Sequence, residues 1–199
     1  PLRRQRQMCI RDRAFAAGPT FPPLNGRVID HGDLVSDAVE LALATRLESL
    51  ERDTSDQVVV VTVPDLQGYE IEDYGYQLGR AWGIGQAEKN NGVLLIVAPR
   101  ERKVRIEVGY GLEPVLTDAL SALIIQNEIL PAFREGDFER GIEQGVDAID
   151  RQLRLDPAEA QARAAAAERP SSGAPLGIIS PIGVIFLLHP VMGWIALGG

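Results

Sequence analysis

Two runs of consecutive apolar residues constrain the fold more strongly than any other feature of this sequence. Residues 57–63 read QVVVVTV and residues 92–98 read GVLLIVA, so nearly every side chain in each run is apolar. Runs of this length and composition are typical of strands that are buried on both faces, as happens when helices cover both sides of a sheet. The two runs therefore predict the central strands of an α/β domain.

Amphipathic helices are predicted between and after these two strands. Apolar residues recur there at intervals of three and four positions, which is the period of one helix face. Ser36 and Thr117 are suitable N-cap residues, and glycine or proline stops several of the apolar stripes. The predicted helices cover residues 36–50, 71–82, 117–130 and 137–153.

Two further strands complete the predicted sheet. Residues 24–30 form a short apolar stretch that ends at a turn, and residues 103–108 (KVRIEV) alternate apolar and charged positions. This alternation predicts an edge strand with one buried and one solvated face, paired in a hairpin with residues 92–98. The order of strands and helices predicts one three-layer α/β/α sandwich over residues 21–153, with a mixed, mostly parallel sheet.

The segments outside this domain differ from it in composition. Residues 1–13 contain QMCIRDR and are interpreted as a translated sequencing-adaptor artefact, with the basic region of a natural signal peptide as the alternative. Residues 14–20 (AFAAGPT) fit a signal-peptide remnant or a flexible terminus. Residues 154–175 fit an Ala/Pro-rich linker, in which the Ala/Glu/Arg segment that opens at Asp156-Pro157 is compatible with a solvated helix. The chain is expected to be cut short at both ends.

The last predicted segment, residues 176–199, begins with a stretch that carries no formal charge at neutral pH, residues 176–197. About 20 apolar residues are enough to span a bilayer. Pro181, His189 and Pro190 interrupt the stretch, so a hydrophobic hairpin or dimer element is the alternative. We expect a membrane-anchored protein of the cell envelope, held by residues 176–197, with a periplasmic or extracellular domain.

The charge of the chain excludes some classes of partner. Its formal net charge is -8, and leaving out residues 1–13 removes five arginines and one aspartate, which gives -12. No cluster of lysine and arginine offsets this acidic surface, so nucleic acid is not an expected partner. Leaving out Cys9 also removes the only cysteine, which excludes a thiol nucleophile and an internal disulfide.

No nucleotide-binding motif is complete in the sequence. The GYG of residues 109–111 follows a predicted strand, but Pro114 occupies the position of the third glycine in a dinucleotide-binding fingerprint. There is no P-loop, and His31 and His189 are the only histidines. A nucleotide cofactor is therefore not expected, and the candidate chemistry reduces to oxygen ligands.

Oxygen-bearing side chains gather in three predicted loops, which read DHGD at 30–33, KNNG at 89–92 and TD at 117–118. Carboxylate and amide oxygens are the ligands of hard cations such as Ca²⁺. The same residue types are also the commonest turn and N-cap residues, so each loop has a purely structural interpretation as well. The metal-ligand candidates are Asp30, Asn91 and Asp118, with Asp33, Asn90 and Glu113 as additional ligands.

The order of four motifs resembles the TPM domain family. The motifs are FPPLNGRVIDHGDLVS, YGYQLGRAWGIG, KNNGVLLIVAPRERKVRIEVGYGLEPVLTD and ILPAFREGDFERGI, and together they extend over about residues 21–153. The resemblance implies an α/β sandwich with an acidic divalent-cation site, and the family includes a phosphatase of the thylakoid lumen. The family's motif positions correspond here to Asp30, Asn91, Gly92, Gly109, Gly111, Thr117 and Asp118. One departure is DHGD at 30–33, where the family usually has D-x-A-G.

Two functions follow from these expectations. The favoured one is a divalent-cation-binding module, with calcium as the expected ion, that serves interaction or assembly with a protein partner. The alternative is a metal-dependent acid phosphatase that hydrolyses phosphoric monoesters, with Asp118 as a catalytic residue. The module is favoured because a transferring phosphoryl group needs positive charge, and Arg80 and Arg105 supply it only if the fold brings them to the site.

Overall fold

Four strands and seven helical segments make up residues 18–169, the part of the chain that the computed structural model describes. The expectations for residues 1–13 and 176–199, and for most of 14–20, lie outside this part. The elements are β1 (Val28–Asp30), α1 (Asp37–Thr54), β2 (Gln57–Thr62), α2 (Ile71–Trp82), β3 (Gly92–Ala98), β4 (Lys103–Val108), α3 (Asp118–Ile124), a π-helix (Ile125–Ile129), α4 (Leu130–Arg134), α5 (Phe138–Leu153) and α6 (Pro157–Ala167). Within residues 18–169, none of the helices combines the length and the hydropathy needed to cross a membrane.

The strands form one mixed sheet in the order β1-β2-β3-β4. The first three strands are parallel, and β4 is antiparallel to β3 as the hairpin prediction requires. The register pairs Asp30 with Thr62 at one end of β2 and Gly92 with Gln57 at the other end. The predicted α/β class with a mixed sheet is confirmed.

Helices cover both faces of the sheet. Alternate side chains of β2 point to opposite faces, so Val58 and Val60 join the core that lies against α1 and α5. Val59 and Val61 join a second, smaller core on the other face, which α2 covers. Full burial on both faces explains why β2 and β3 are continuous apolar runs, and the three layers follow from it.

Strand β4 differs from its prediction because its charged face is not simply solvated. Helix α2 packs against this face at Gly75, where an added Cβ would lie 2.6 Å from Ile96 Cδ1 and 3.0 Å from Glu107 Cγ. The missing side chain of Gly75 lets the helix approach closely. As a result, Arg105 and Glu107 are partly buried, with side-chain exposures of 26% and 22%.

The helical stretch after Asp118 also differs from its prediction, which ended this helix at Pro131. The chain stays helical from α3 to α4, and the π-helix joins the two with the wide i→i−5 hydrogen bond from Leu130 N to Ile125 O. Proline has no N–H, and its ring collides with the preceding turn of a regular helix. The wide turn accommodates Pro131 without ending the helix.

Helix α6 lies within the segment that was predicted as a linker. Asp156 accepts a hydrogen bond from Ala158 N, so its side chain caps the helix, and Pro157 occupies the first turn. Ala160 and Ala164 are buried at 2% and 1% exposure, and the helix contacts α3. The packed unit therefore extends beyond residue 153.

Candidate functional site

A cleft of about 1070 Å³ opens beside the sheet, at the end where β3 begins and β4 ends. Helix α2 forms one wall of the cleft. The remaining walls are the loop at 83–90, the face of β4 that carries Arg105 and Glu107, and the segment 109–119. Its polar lining includes Arg80, Asn90, Glu107, Glu113 and Asp118. The cleft thus contains three of the six residues that the sequence predicted as ligands, and two further carboxylates, Glu107 and Glu168.

The loops around the cleft are held together by direct backbone contact. An added Cβ would lie 2.2 Å from Asn90 O at Gly109 and 1.9 Å from Lys89 O at Gly111. The amide of Gly111 donates to Asn90 O at 3.1 Å, and Gly109 N donates to Gly92 O at 2.7 Å. Only glycine fits such an approach, so these motif glycines fix the position of the 109–111 loop.

Asn91 has a structural role beneath the cleft. Its side chain is buried, its Oδ1 accepts from Gln86 N at 2.9 Å, and its Nδ2 donates to Ser55 O at 2.6 Å and to Asp56 Oδ1 at 3.2 Å. Burial raises the pKa of Asp56, although hydrogen bonds from Asn91 and Thr54 act in the opposite direction. The Asn91 amide therefore ties the loop at 86–91 to the end of α1.

Asp30 has a similar structural role at a different place. Its Oδ2 accepts from Leu34 N and Val35 N, both at 2.8 Å, and its Oδ1 accepts a hydrogen bond from the Thr62 hydroxyl. Gly32 N in turn donates to Thr62 Oγ1 at 2.7 Å. Both carboxylate oxygens are used to shape the turn after β1, in which the exposed Asp33 has a φ of 52°.

The register separates Asp30 from the other two principal candidates. Asp30 lies beside Thr62, whereas Asn91 precedes Gly92, which lies beside Gln57. Gln57 and Thr62 are five steps apart along β2, which corresponds to roughly 17 Å. One ion held jointly by Asp30, Asn91 and Asp118 is therefore inconsistent with this fold. Neither Asp30 nor Asp33 lines the cleft.

Glu107 and Asp118 form an acidic pair inside the cleft. Burial raises the pKa of Glu107, and the negative charges of Asp118 and Glu72 raise it further, while Arg105 opposes these effects by a hydrogen bond and by its charge. Asp118 begins α3, where Thr117 Oγ1 caps the helix by accepting from Leu120 N at 3.3 Å. The sequence analysis missed Glu107 because alternation placed it on a solvated face, and Gly75 is the one signal that could have indicated otherwise.

Two arginines line the same cleft. Arg105 forms ion pairs with Glu107 and, at 4.0 Å, with Glu72. The guanidinium of Arg80 lies 5.5 Å from the ring centroid of Tyr76 and donates to its hydroxyl at 2.9 Å. It takes part in none of the ion pairs found among residues 18–169. The fold thus brings both arginines to the site that contains Asp118.

The donor set decides which kind of cation the cleft suits. Between residues 18 and 169, no three acidic or histidine side chains are grouped so that they could hold a metal ion. Glu113 and Glu168 also line the cleft, but Asp118 is the lining carboxylate whose charge acts on Glu107, and the four oxygens of these two groups are fewer than the six to eight of a calcium cage made by protein. Mg²⁺ is commonly bound by one or two carboxylates, water and phosphate oxygens of a ligand, and the cleft fits that pattern.

Comparison with protein families identifies the domain. The family model of the TPM domain matches residues 28–152, which is more than half of the chain. No curated protein matched the sequence.

Comparison with solved structures gives three similar folds. The solution structure of the N-terminal domain of a protein from P. gingivalis is 37% identical with a TM-score of 0.60, over 63% of this chain and 80% of that one. The N-terminal domain of the cg2496 protein from Corynebacterium glutamicum is 17% identical with a TM-score of 0.50, over 83% and 94%. The BA42 protein from Bizionia argentinensis is 21% identical with a TM-score of 0.53, over 61% and 82%. The last two show similarity of fold alone.

Proposed function

The chain belongs to the TPM domain family, and from that premise we propose that its cleft binds a divalent cation and, together with it, a phosphate-bearing ligand. In this proposal the domain is an interaction module whose ligand is a phosphate group on a partner. The carrying observation is that Glu107 and Asp118 line the same cleft and that the negative charge of Asp118 adds to burial in raising the pKa of Glu107.

A divalent cation between these two carboxylates would offset their repulsion, since an opposite charge favours the ionised form of both. Glu107 and Asp118 would hold the ion, which would supply positive charge to a phosphoryl oxygen. Arg80 would bind a second phosphoryl oxygen, because a guanidinium without a carboxylate partner keeps its donors available for an anion. Arg105 holds Glu107 in place and adds to the positive charge.

Isothermal titration of the full chain with Mg²⁺ and with Ca²⁺ tests the cation site. Asp118→Asn should weaken binding by about tenfold or more, because removing one carboxylate from a two-carboxylate site costs more than about 1.4 kcal/mol. Asp30→Asn is the matched control, since it makes the same chemical change at the opposite end of β2 and should leave the affinity within about twofold. Equal losses in the two variants, or no cation binding by the wild type, would refute the proposal.

Hydrolysis of phosphoric monoesters is the second candidate, and the presence of Arg80 and Arg105 in the cleft favours it. Water would attack phosphorus, the P–O bond to the alcohol would break, and the alcohol would leave with a proton. The two arginines would stabilise the negative charge that develops on the phosphoryl oxygens. Turnover of p-nitrophenyl phosphate that depends on added Mg²⁺ and disappears in Asp118→Asn would establish the enzyme. Binding without turnover would establish the module.

We also propose that the domain is displayed on the outer side of a membrane. The support is the uncharged stretch at 176–197, which follows the described residues and has the length of a bilayer span. Expression of the full chain and of a variant ending at residue 175 tests this idea. The full chain should sediment with membranes and be accessible to external protease, whereas the shortened variant should be released.

A further inference from the structure

We propose that the cleft accepts aryl phosphates, in which the phosphate is attached to a flat aromatic ring, in preference to alkyl phosphates. This inference rests on the proposed function, because it specifies the organic part of a ligand whose phosphate binds beside Arg80. Its evidence comes from different residues, namely Tyr76, Gly79 and Tyr110, which line the cleft without belonging to the acidic pair.

The size of the cleft shows that a phosphate group alone leaves most of it unfilled. Pockets for drug-sized ligands occupy about 300–1,000 Å³, and this cleft reaches about 1070 Å³. A bound cation and one phosphoryl group occupy only the part near Glu107, Asp118 and Arg80. The rest of the cleft, which α2 and the 109–111 loop line, is open to the organic part of the ligand.

Two tyrosines at this remaining space are unusually exposed. Tyr76 on α2 is 59% exposed and Tyr110 in the 109–111 loop is 78% exposed, so neither ring is needed for the core. Exposed aromatic rings at a concave surface are typical of binding sites, because they bury a large flat area with little loss of conformational entropy. Tyr110 is also held in a loop whose backbone is fixed by Gly109 and Gly111.

Gly79 leaves the surface of α2 open between these features. A Cβ added at Gly79 meets no atom within 4 Å, so packing does not require a glycine there. A glycine inside a helix is also less favourable than alanine, so helix stability does not require it either. Because Gly79 lies next to the contacting side chains of Tyr76 and Arg80 on α2, a flat ring can lie on bare helix backbone beside that pair.

The arrangement of Tyr76 and Arg80 matches the chemistry of an aryl phosphate. Arg80 lies over the Tyr76 ring, which places a positive charge next to an exposed aromatic surface. In an aryl phosphate an apolar ring lies next to an anion. The ring can pack against tyrosine while the phosphate binds Arg80. An alkyl phosphate presents the anion without the plane, so Tyr76 and Tyr110 contribute little to its binding.

The test compares two ligands with the same phosphate charge, phenyl phosphate and glycerol 2-phosphate, by titration of the full chain in Mg²⁺. Phenyl phosphate should bind about tenfold more tightly, because its ring pairs with a tyrosine ring in addition to burying apolar area. Tyr110→Ala should reduce this ratio to about threefold or less, and Gly79→Leu should reduce it by filling the open surface. Leu41→Ala removes an exposed apolar side chain outside the cleft and should leave the ratio unchanged.

A third ligand distinguishes the source of the aryl phosphate. A peptide of about seven residues with a central phosphotyrosine should bind at least as tightly as phenyl phosphate if the natural source is a protein, and less tightly if it is a small molecule. Either result supports the proposal. Equal binding of phenyl phosphate and glycerol 2-phosphate overturns it and leaves the proposed function standing, whereas binding of neither overturns both. Circular dichroism of Gly79→Leu verifies folding, and Tyr110→Ala provides the test if that variant is unfolded.

Discussion

Asp30 and Asn91 lie at opposite ends of the parallel sheet, because Asp30 pairs with the last residue of β2 and Asn91 immediately precedes the residue that pairs with the first. Each carries hydrogen bonds that organise its own end. Asp30 shapes the turn into α1, and Asn91 joins the loop before β3 to the end of that same helix. The two motif residues therefore stabilise opposite ends of the sheet, and neither needs a metal to account for its presence.

Replacing Asp30 should reduce stability without affecting the cleft. Asp30→Ala leaves the amides of Leu34 and Val35 and the hydroxyl of Thr62 without their acceptor. A hydrogen bond to a charged group contributes about 1.5–3 kcal/mol net, and water can reach the freed donors at this part-buried turn, so a loss of about 2–3 kcal/mol is expected in urea unfolding. Asp33→Gly, at an exposed position with positive φ, should change the free energy of unfolding by less than about 1 kcal/mol. Similar values for both variants would contradict this role of Asp30.

Replacing Asn91 should have a comparable effect from the other end of the sheet. Asn91→Ala leaves Ser55 O, Asp56 Oδ1 and Gln86 N unpaired in a partly buried region. A loss of about 2–4 kcal/mol is expected from urea unfolding, because several polar groups lose partners at once. The control is Asn90→Gly, since Asn90 has a φ of 49° that glycine adopts readily. A ligand role for Asn91 would instead appear as loss of cation binding with little change in stability.

Much of this arrangement was present in the sequence. The two apolar runs predicted β2 and β3, and the mixed sheet with β4 in a hairpin followed from the alternation at 103–108. The separation of Asp30 from Asn91 could also have been predicted, because one residue follows a strand and the other precedes a strand of the same parallel sheet. Such residues lie at opposite ends of the strands.

The position of Glu107 and the packing of α6 against the domain show why other features could not be predicted. Glu107 enters the cleft because Gly75 lets α2 approach β4, and periodicity in one segment does not report the distance to another. Helix α6 is rich in alanine and charged residues, so its apolar stripe is only Ala160 and Ala164. Its packing depends on the shape of α3, which composition does not reveal.

Replacement by alanine should lower stability at Gly111 in the 109–111 loop and raise it at Gly79 in α2. Gly111→Ala places a Cβ 1.9 Å from Lys89 O, so the 109–111 loop has to move, and a loss of at least about 3 kcal/mol is expected. Gly79→Ala meets open space and improves helix propensity, so stability should rise by up to about 1 kcal/mol. Thermal unfolding of the two variants measures the difference, and a tolerated Gly111→Ala would show that the loop is not held by this contact.

The pKa of Asp56 makes stability depend on pH in a defined direction. Burial raises this pKa in the folded state, so the folded protein binds more protons than the unfolded chain between the ordinary carboxyl pKa and the raised one. The contribution of Asp56 to the free energy of unfolding therefore falls as pH rises through that window. Asp56→Asn cannot ionise, and its oxygen can still accept from Asn91. The stability of the variant relative to wild type should increase between about pH 4 and about pH 7. Urea unfolding at several pH values measures this, and a constant difference in the free energy of unfolding would contradict a raised pKa of Asp56.

Helix α6 should contribute measurably to the stability of the domain. Ala164 is 1% exposed, so Ala164→Glu brings a charge and a larger side chain into a closed contact, for which a loss of about 2–4 kcal/mol is expected. Ala165→Glu makes the same substitution one position later on the exposed side of the helix and should change stability by less than about 0.5 kcal/mol. Urea unfolding measures the stability of the two variants, which have the same composition and the same charge and differ only in the position of the glutamate. If residues after 153 were only a linker, both substitutions would be neutral, because neither side chain would then meet the domain.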